Sequence, residues 1–580
     1  MRLYKWDEAR SEFILATDRR RSPLYSCSKD SISIDGEFPL PEDEAMMLRL
    51  VVTVTSTALK RQAQALEDFF NDQLVNPALK NILLSPEHYL AEQDSREREL
   101  AWSGPLDESQ RRVVQLALKE RNIALIQGPP GAGKTTAIVE MLYQLYRQRQ
   151  DLRILVVSQQ NSAVDNALSK FLKQHADSFD NPIRMIRIGN PEKMSAEIRP
   201  SGFDAQFSDY ITELEERAIA GAVSLPEDEA ALCHMWLSLI KQAAQSKADQ
   251  DEFFITLLAD RNLLGATCVG LASNKGGIDQ LQFDVAIIDE AGRATIPEIL
   301  IPILRSRKII LVGDHYQLPP SIAPLLREDE AAEELGFLRE NFLDNSFFEL
   351  MFERLPAQCC ETLNLQYRMA PAIGNLVAEL FYMRNGQRVL HNGREDDYFN
   401  DLYVLQKPIY WVDVKGKQRQ PKGSKSQENK EEALRITEFL SELAQRVDRP
   451  LSVAVITPYG AQKECIRKSL KKADWIDGCK GSLTVAVDTV DAFQGSEADI
   501  VCYSTVRTEG NLNFILDRKR LNVACSRAKL HLLFFGHRDF LGRWHSKKDP
   551  EANLFPRLMS HAFNLAVRFK DAEQEGLTEC

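Results

Sequence analysis

Apolar residues recur along the chain in short continuous runs separated by stretches of helical spacing, an alternation that predicts parallel sheets covered by helices. Residues 122–139, NIALIQGPPGAGKTTAIV, read as a buried strand, a glycine-rich turn and the start of a helix. Just before them lies LDESQRRVVQLAL, where Asp107 and Gln110 have capping-box spacing and Val113, Val114, Ala117 and Leu118 fall on one stripe. Further runs at 154–157, 285–288 and 309–312 each end in a polar cluster, SQQNSAVDNA, DEAGRA and GDHYQLPP. Ligands of doubly wound sheets sit beyond the carboxyl ends of the strands, so the chemistry belongs in these clusters. Runs at 410–414, 453–456, 484–487, 500–504 and 532–535 predict a second parallel sheet with no phosphate loop of its own. That sheet is expected to carry the arginine-bearing clusters LQYRMAP and RLNVACSRAK.

The expected fold is α/β, with two doubly wound parallel-sheet domains over 101–355 and 356–545, a hinge at Pro356 and a helical tail over 546–580. An accessory region over 1–100 is expected to hold a strand at 48–55 and long helices over 58–84. Residues 177–261 are far more than a βα crossover needs, and their charged, alanine-rich part predicts a helical subdomain inserted at about 205–260. The segment 416–430, GKQRQPKGSKSQENK, is basic and loop-like.

A chain of 580 residues exceeds one core, and 44% hydrophobic with 27% charged residues is ordinary globular composition. A net charge of -12 argues against binding polyanions through bulk charge, although a local groove can do so within an acidic protein. Ten cysteines form no CxxC pair, and adjacent Cys359 and Cys360 are poorly placed to share a metal. Reduced thiols and no zinc site are expected. The N-terminus MRLYKWDEAR has no apolar signal core, and no apolar run approaches the roughly 18 residues that span a bilayer. A cytoplasmic location is expected.

Gly128, four residues, Gly133, Lys134 and Thr135 have the P-loop spacing. Glycines at 128, 131 and 133, with Ala132 between, let backbone N–H groups face phosphate oxygens at a helix N-terminus, while Pro129 and Pro130 restrict the loop in advance. Lys134 suits the β and γ phosphates of ATP, and Thr135, followed by Thr136, suits Mg²⁺. The bland alternative is a chance glycine-rich turn, which the flanking strand and helix disfavour. Asp289 and Glu290 end an apolar strand where a P-loop enzyme needs one carboxylate on Mg²⁺ and another for the attacking water. Gln317 lies past another strand end and suits the γ phosphate. Arg368 and Arg527 would each pass singly for surface ion pairs, yet on a sheet without a nucleotide loop they look like fingers reaching across an interface.

The ordered set GPPGAGKTT, DEAG, GDHYQLPP, LQYRMAP, ITPYGAQ, TVDAFQGSEAD and RLNVACSRAK resembles superfamily 1 helicases of the 5′-to-3′ group that includes the nonsense-mediated-decay helicase and senataxin. The resemblance covers about 106–536 and implies two RecA-like domains with ATP and Mg²⁺ between them. It implies that Gln110 reads the adenine, Tyr367 stacks on it and Glu497 holds the ribose. It places Ser158, Asn161 and Thr267 on the first sheet, with Thr457, Pro458, Tyr459 and Thr489 on the second, along a groove for single-stranded DNA or RNA. It also places a helical insertion after SQQNSAVDNA. Two features depart from the group: its N-terminal β-barrel is not evident before Leu106, and its histidine after QYRM is Ala370 here. Glu428 and Lys430 have a nuclease-like ExK spacing but lie in the basic loop. The implied function is an ATP-dependent translocase on single strands that unwinds duplexes. The competing functions are an ATP-driven nucleoprotein remodeller that unwinds weakly and a nucleotide-gated binding module.

Overall fold

The computed structural model describes residues 2–7, 12–15, 24–27, 32–34, 48–51, 53–91, 100–223, 226–245, 250–273, 275–320, 346–475, 477–546 and 552–565. The chain divides into two compact units, Met1–Gln73 and Leu74–Cys580.

The first unit holds five short strands and one long helix. Strands β1 (Arg2–Asp7), β2 (Glu12–Leu15) and β5 (Leu48–Val51) form a sheet in the order β2-β1-β5, and β3 (Leu24–Cys27) pairs with β4 (Ile32–Ile34). The strand expected over 48–55 is therefore shorter, because helix α1 (Thr53–Phe70) begins within it. Threonine and valine pattern equally well for a strand, and here an 18-residue run of helical spacing takes them over. The four earlier strands, each six residues or fewer, had too little alternation to stand out.

In the second unit, a parallel sheet has the order β12-β6-β11-β10-β7-β9-β8. Its strands are β6 (Ile123–Gln127), β7 (Ile154–Ser158), β8 (Met185–Ile188), β9 (Leu263–Thr267), β10 (Phe283–Asp289), β11 (Ser306–Gly313) and β12 (Cys360–Thr362). Every residue of β6 and β7 is buried, as continuous apolar strands between two helical layers must be. Helices α2 (Glu108–Lys119), α3 (Lys134–Gln148) and α4 (Asn161–His175) pack on it, α2 beginning with the expected Asp107–Gln110 capping box. The long interruption folds as α5 (Phe203–Val223), α6 (Glu227–Gln245) and α7 (Gln250–Asp260), preceded by β8.

A second sheet has the order β15-β16-β14-β17-β18-β13-β19. It consists of β13 (Ile409–Asp413), β14 (Leu451–Thr457), β15 (Cys479–Lys480), β16 (Leu483–Thr489), β17 (Ala498–Ser504), β18 (Ala528–Gly536) and β19 (Phe563–Asn564). All its pairings are parallel except β15 with β16. These are two RecA-like α/β domains, each with its own apolar core.

Two of the expected boundaries shift. The chain does not leave the first sheet at Pro356, because Cys360–Thr362 pairs in parallel with β6. Nor is 546–580 simply a helical tail, because Phe563–Asn564 adds a strand to the second sheet beside β13. Both strands are three residues or fewer, below what periodicity resolves.

Candidate nucleotide site and strand-end groove

Strand register aligns the polar ends. Asp289 pairs with Ser158, Ser158 with Thr267, and Gly313 with Gln127 at the foot of the phosphate loop. A cleft of about 650 Å³ opens at these ends, lined by residues 129–136, Asp289, Glu290, Gln317, Tyr367, Arg368, Glu497 and Arg527. The expected nucleotide residues of both sheets thus meet in one place.

Gly131 and Gly133 have φ of 73° and 82°, left-handed values that favour glycine. Gly131 also admits the neighbouring chain, since a Cβ there would stand 2.6 Å from that of Arg368. Lys134 donates to the Gly128 carbonyl at 2.9 Å and lies 3.8 Å from Glu290, so its ammonium already points into the cradle. Glu290 takes φ 53°, a left-handed turn that costs a non-glycine residue about 1–3 kcal/mol. That turn lets its N–H donate to Asp289 Oδ1 at 2.8 Å while its side chain faces Lys134.

Asp289 is buried, and burial followed by the charge of Glu290 pushes its carboxyl up to about 7. Two adjacent carboxylates with one lysine nearby form a donor set short of positive charge, and with Thr135 on the cleft wall they fit a Mg²⁺ ion. Arg527 has the opposite imbalance. It is 2% exposed, and Nε, Nη1 and Nη2 donate to Val523 O, Ser496 O, Ser526 Oγ and, from across the cleft, Gln317 Oε1, each at 3.1 Å. Among the described residues it forms no ion pair, and burial with nearby Arg368 pushes it down to about 9. A buried guanidinium without a carboxylate, opposite a phosphate loop, fits an anionic phosphoryl group. Gln317 is fixed in turn by donating to Asp314 at 2.7 Å, which also accepts from Tyr382.

Arg368 corrects an expectation. It does not lie on the second sheet but on the connection between the two. Leu363 N donates to Gln127 O and Tyr367 N to Gly131 O, so the chain after β12 follows the phosphate loop before Ala370 N reaches Lys529 O on β18. The guanidinium donates to Glu497 at 2.7 Å and to the Ser526 carbonyl at 3.2 Å. Glu497 also pairs with Lys529 at 2.8 Å, which holds its carboxyl below the usual range despite its burial. Tyr367 bonds Asp107 at 2.7 Å, and burial with this contact pushes its phenol up to about 12. The amide of Gln110 caps its own helix and donates to Ala132 O at 3.4 Å.

The expected strand-contact residues occupy the carboxyl ends of both sheets, with Thr457 in register with Thr489. Their side chains are largely engaged within the protein. Ser158 and Thr457 are fully buried and accept from the N–H groups of Gln160 and Tyr459. Asn161 accepts from Arg187 at 2.8 Å, Thr267 caps a short turn at Gly270, and the Thr489 N–H donates to Asp488. Pro458 joins Thr457 to Tyr459, whose ring packs 5.3 Å from Phe514.

Sequence reasoning missed several participants. Phe514 is 47% exposed and lies under the Arg520 guanidinium at 5.2 Å, but a single aromatic in an apolar segment looks like core. Lys170 donates to Thr136 at 2.7 Å, tying α4 to the start of α3. Glu432 is fully buried and accepts twice from the Val506 N–H at 3.0 and 2.9 Å, holding valine at a left-handed φ of 69° just before Arg507. Only the fold brings Glu432 to that turn.

Two family descriptions match the chain, each an AAA domain, over residues 105–323 and 343–539. An uncharacterised ATP-dependent helicase of Methanocaldococcus jannaschii is 28% identical over 85% of this chain and 76% of its own length. DNA-binding protein SMUBP-2 of Mesocricetus auratus is 28% identical over 74% of this chain and 42% of its own. Regulator of nonsense transcripts 1 of Caenorhabditis elegans is 28% identical over 87% of this chain and 45% of its own. The chain thus spans less than half the length of the latter two relatives. With both AAA matches falling on the two RecA-like sheets and the cleft between them, the chain belongs to the superfamily 1 helicases, in the group of the nonsense-mediated-decay helicase and senataxin.

Proposed function

We propose that the chain is a nucleic-acid-stimulated ATPase that moves along single-stranded DNA or RNA, 5′ to 3′, and unwinds duplexes. The observation that carries this reading is the 3.1 Å bond from Arg527 to Gln317, which joins the two RecA-like domains at the phosphate cradle.

In this reading Lys134 leaves the Gly128 carbonyl to meet the β and γ phosphates of ATP, while the loop N–H groups hold the remaining oxygens. Thr135 and Asp289 hold Mg²⁺, which offsets the charge of the triphosphate. Glu290 accepts the proton of the attacking water. Gln317 orients that water, and Arg527 and Arg368 meet the charge that develops on the transferred group. Gln110, Tyr367 and Glu497 bind the adenosine side. Loss of the γ phosphate releases Arg527, the cleft opens, and the strand-end groove of one domain slips along the backbone relative to the other. Ser158, Asn161, Thr267, Thr457, Pro458, Tyr459 and Thr489 shape that groove, so a strand would meet their backbones and Tyr459 more than their buried side chains.

The proposed division is an accessory region, two RecA-like domains and a helical insertion in the first. Among the described residues no helix is long and apolar enough to cross a membrane, and eight cysteines are free, consistent with a reducing, cytoplasmic setting.

Displacement of a labelled strand from a forked duplex, with ATP, tests the proposal. Unwinding that Lys134→Ala abolishes supports it. ATP hydrolysis that strips a bound protein from a strand without separating duplexes would make the chain a remodeller instead. Strand binding gated by ATP without steady turnover would reduce it to a binding module.

A further inference from the structure

The helical insertion carries an apolar groove that takes no part in the nucleotide cleft. Helices α5 and α6 pack together and leave a groove of about 630 Å³ lined by Leu214, Ala218, Leu232, Met235, Trp236 and Leu239. Leu232, Met235 and Trp236 are 60%, 57% and 49% exposed. Large apolar side chains grouped on a surface mark a contact site more often than not.

Charge narrows the choice of occupant. Within the lining the charged residue is Arg217, which is already paired with Glu213 one turn away. The rest of α5 carries Asp204, Asp209, Glu213, Glu215 and Glu216, and α6 carries Glu227, Asp228 and Glu229 against Lys241. An acidic surround repels a nucleic-acid backbone and favours a cationic partner.

Spacing narrows it further. Leu214, Ala218 and Gly221 repeat at helical intervals along α5, as do Leu232, Trp236 and Leu239 along α6. The groove is thus two turns long, about 10 Å, which matches the i, i+3, i+4, i+7 anchors by which an amphipathic helix lies in a groove. Met235 and the Cys233 thiol add soft surface that adapts to different apolar faces.

We propose that the insertion docks a basic amphipathic helix from a partner protein, its apolar stripe on Trp236, Met235 and Leu232 and its cations facing the acidic surround. The motor would then be recruited through a surface separate from its strand groove.

The test uses the full chain and a fluorescein-labelled 14-residue lysine–leucine peptide with leucine at i, i+3, i+4 and i+7. Its control is the same composition scrambled. Anisotropy should show binding of the patterned peptide about tenfold or more tighter than the scrambled one. Trp236→Glu should weaken it at least tenfold, and Glu215→Lys with Glu216→Lys should weaken it without touching the apolar lining. ATPase activity should be unchanged in both variants. Absence of binding, equal binding of the two peptides, or binding unaltered in Trp236→Glu would overturn the proposal. Displacement of the peptide by a single-stranded oligonucleotide would assign the face to nucleic acid instead. A dimer in sedimentation that Trp236→Glu dissolves would assign it to a second copy.

Discussion

Replacing Arg527 by lysine keeps a charge and removes a fork. Four of the five guanidinium N–H groups are used, on Val523 O, Ser496 O, Ser526 Oγ and Gln317 Oε1, which lie on both sides of the cleft. A lysine ammonium has three donors on one nitrogen and cannot span the Ser496 and Gln317 oxygens at once. The remaining guanidinium donor and the unpaired charge are what the account assigns to the transferred phosphoryl group. Burial already disfavours this charge, from 12.5 down to about 9. Arginine nevertheless stays protonated in proteins, so the shift measures a cost to be offset by an anion. Fingers of this kind in other P-loop enzymes are worth about 10³-fold in turnover or more, which is about 4 kcal/mol of barrier. Arg527→Lys should therefore lower ATP turnover in saturating single strand by about 10³-fold. Binding of a non-hydrolysable ATP analogue should fall by less than about tenfold, because the loop, Lys134 and Asp289 remain. Turnover within about twofold of the parent protein, with analogue binding intact, would refute the reasoning and leave Arg527 a buried structural cation.

Lys134→Ala should abolish hydrolysis and weaken nucleotide binding, whereas Glu290→Gln should block turnover with binding retained; equal loss of binding in both would make Glu290 structural. Arg187 and Asp165 form a fully buried ion pair at 2.7 Å, so Asp165→Ala should cost about 3–5 kcal/mol by thermal denaturation. A small change there would mean that water or a neighbour compensates Arg187. Burial pushes the Glu432 carboxyl up from 4.5 to about 8, so the folded state holds a proton that the unfolded chain gives up first. Relative to Glu432→Gln, the parent protein should lose stability as pH rises from about 4.5 to about 8, with a slope of at most about 1.4 kcal/mol per unit; parallel stability curves would show that Glu432 does not titrate in that window. Single-strand affinity should fall modestly with salt, since a local groove must neutralise some phosphates, and salt-independent binding would contradict a backbone-contacting groove.

Much of the nucleotide site was legible because its parts are local. The loop Gly128–Thr135, the Asp289–Glu290 strand end and the Asp107–Gln110 capping box each declare themselves within a few residues. The long apolar strands were legible for the same reason. What escaped depends on which distant segments meet. The two-residue β19 and three-residue β12 carry no periodicity, so the crossing between sheets looked earlier than it is, and Arg368 was expected on the wrong side of it. Glu432 sits in an ordinary helix sequence, and only the turn at Val506, 74 residues away, gives it work. The strand-end threonines and serine were expected as surface contacts, yet Thr457 and Ser158 are buried, because a polar residue closing a buried strand first satisfies its own loop.

The central claim is that two RecA-like domains close over one nucleotide in response to a single strand. Steady-state ATP hydrolysis, measured without nucleic acid and then with matched RNA and DNA oligonucleotides, tests it most directly. The account predicts slow basal turnover that at least one of the two strands raises severalfold or more, with the increase lost in Arg527→Lys. Hydrolysis that no strand alters, or stimulation that persists in Arg527→Lys, would contradict it.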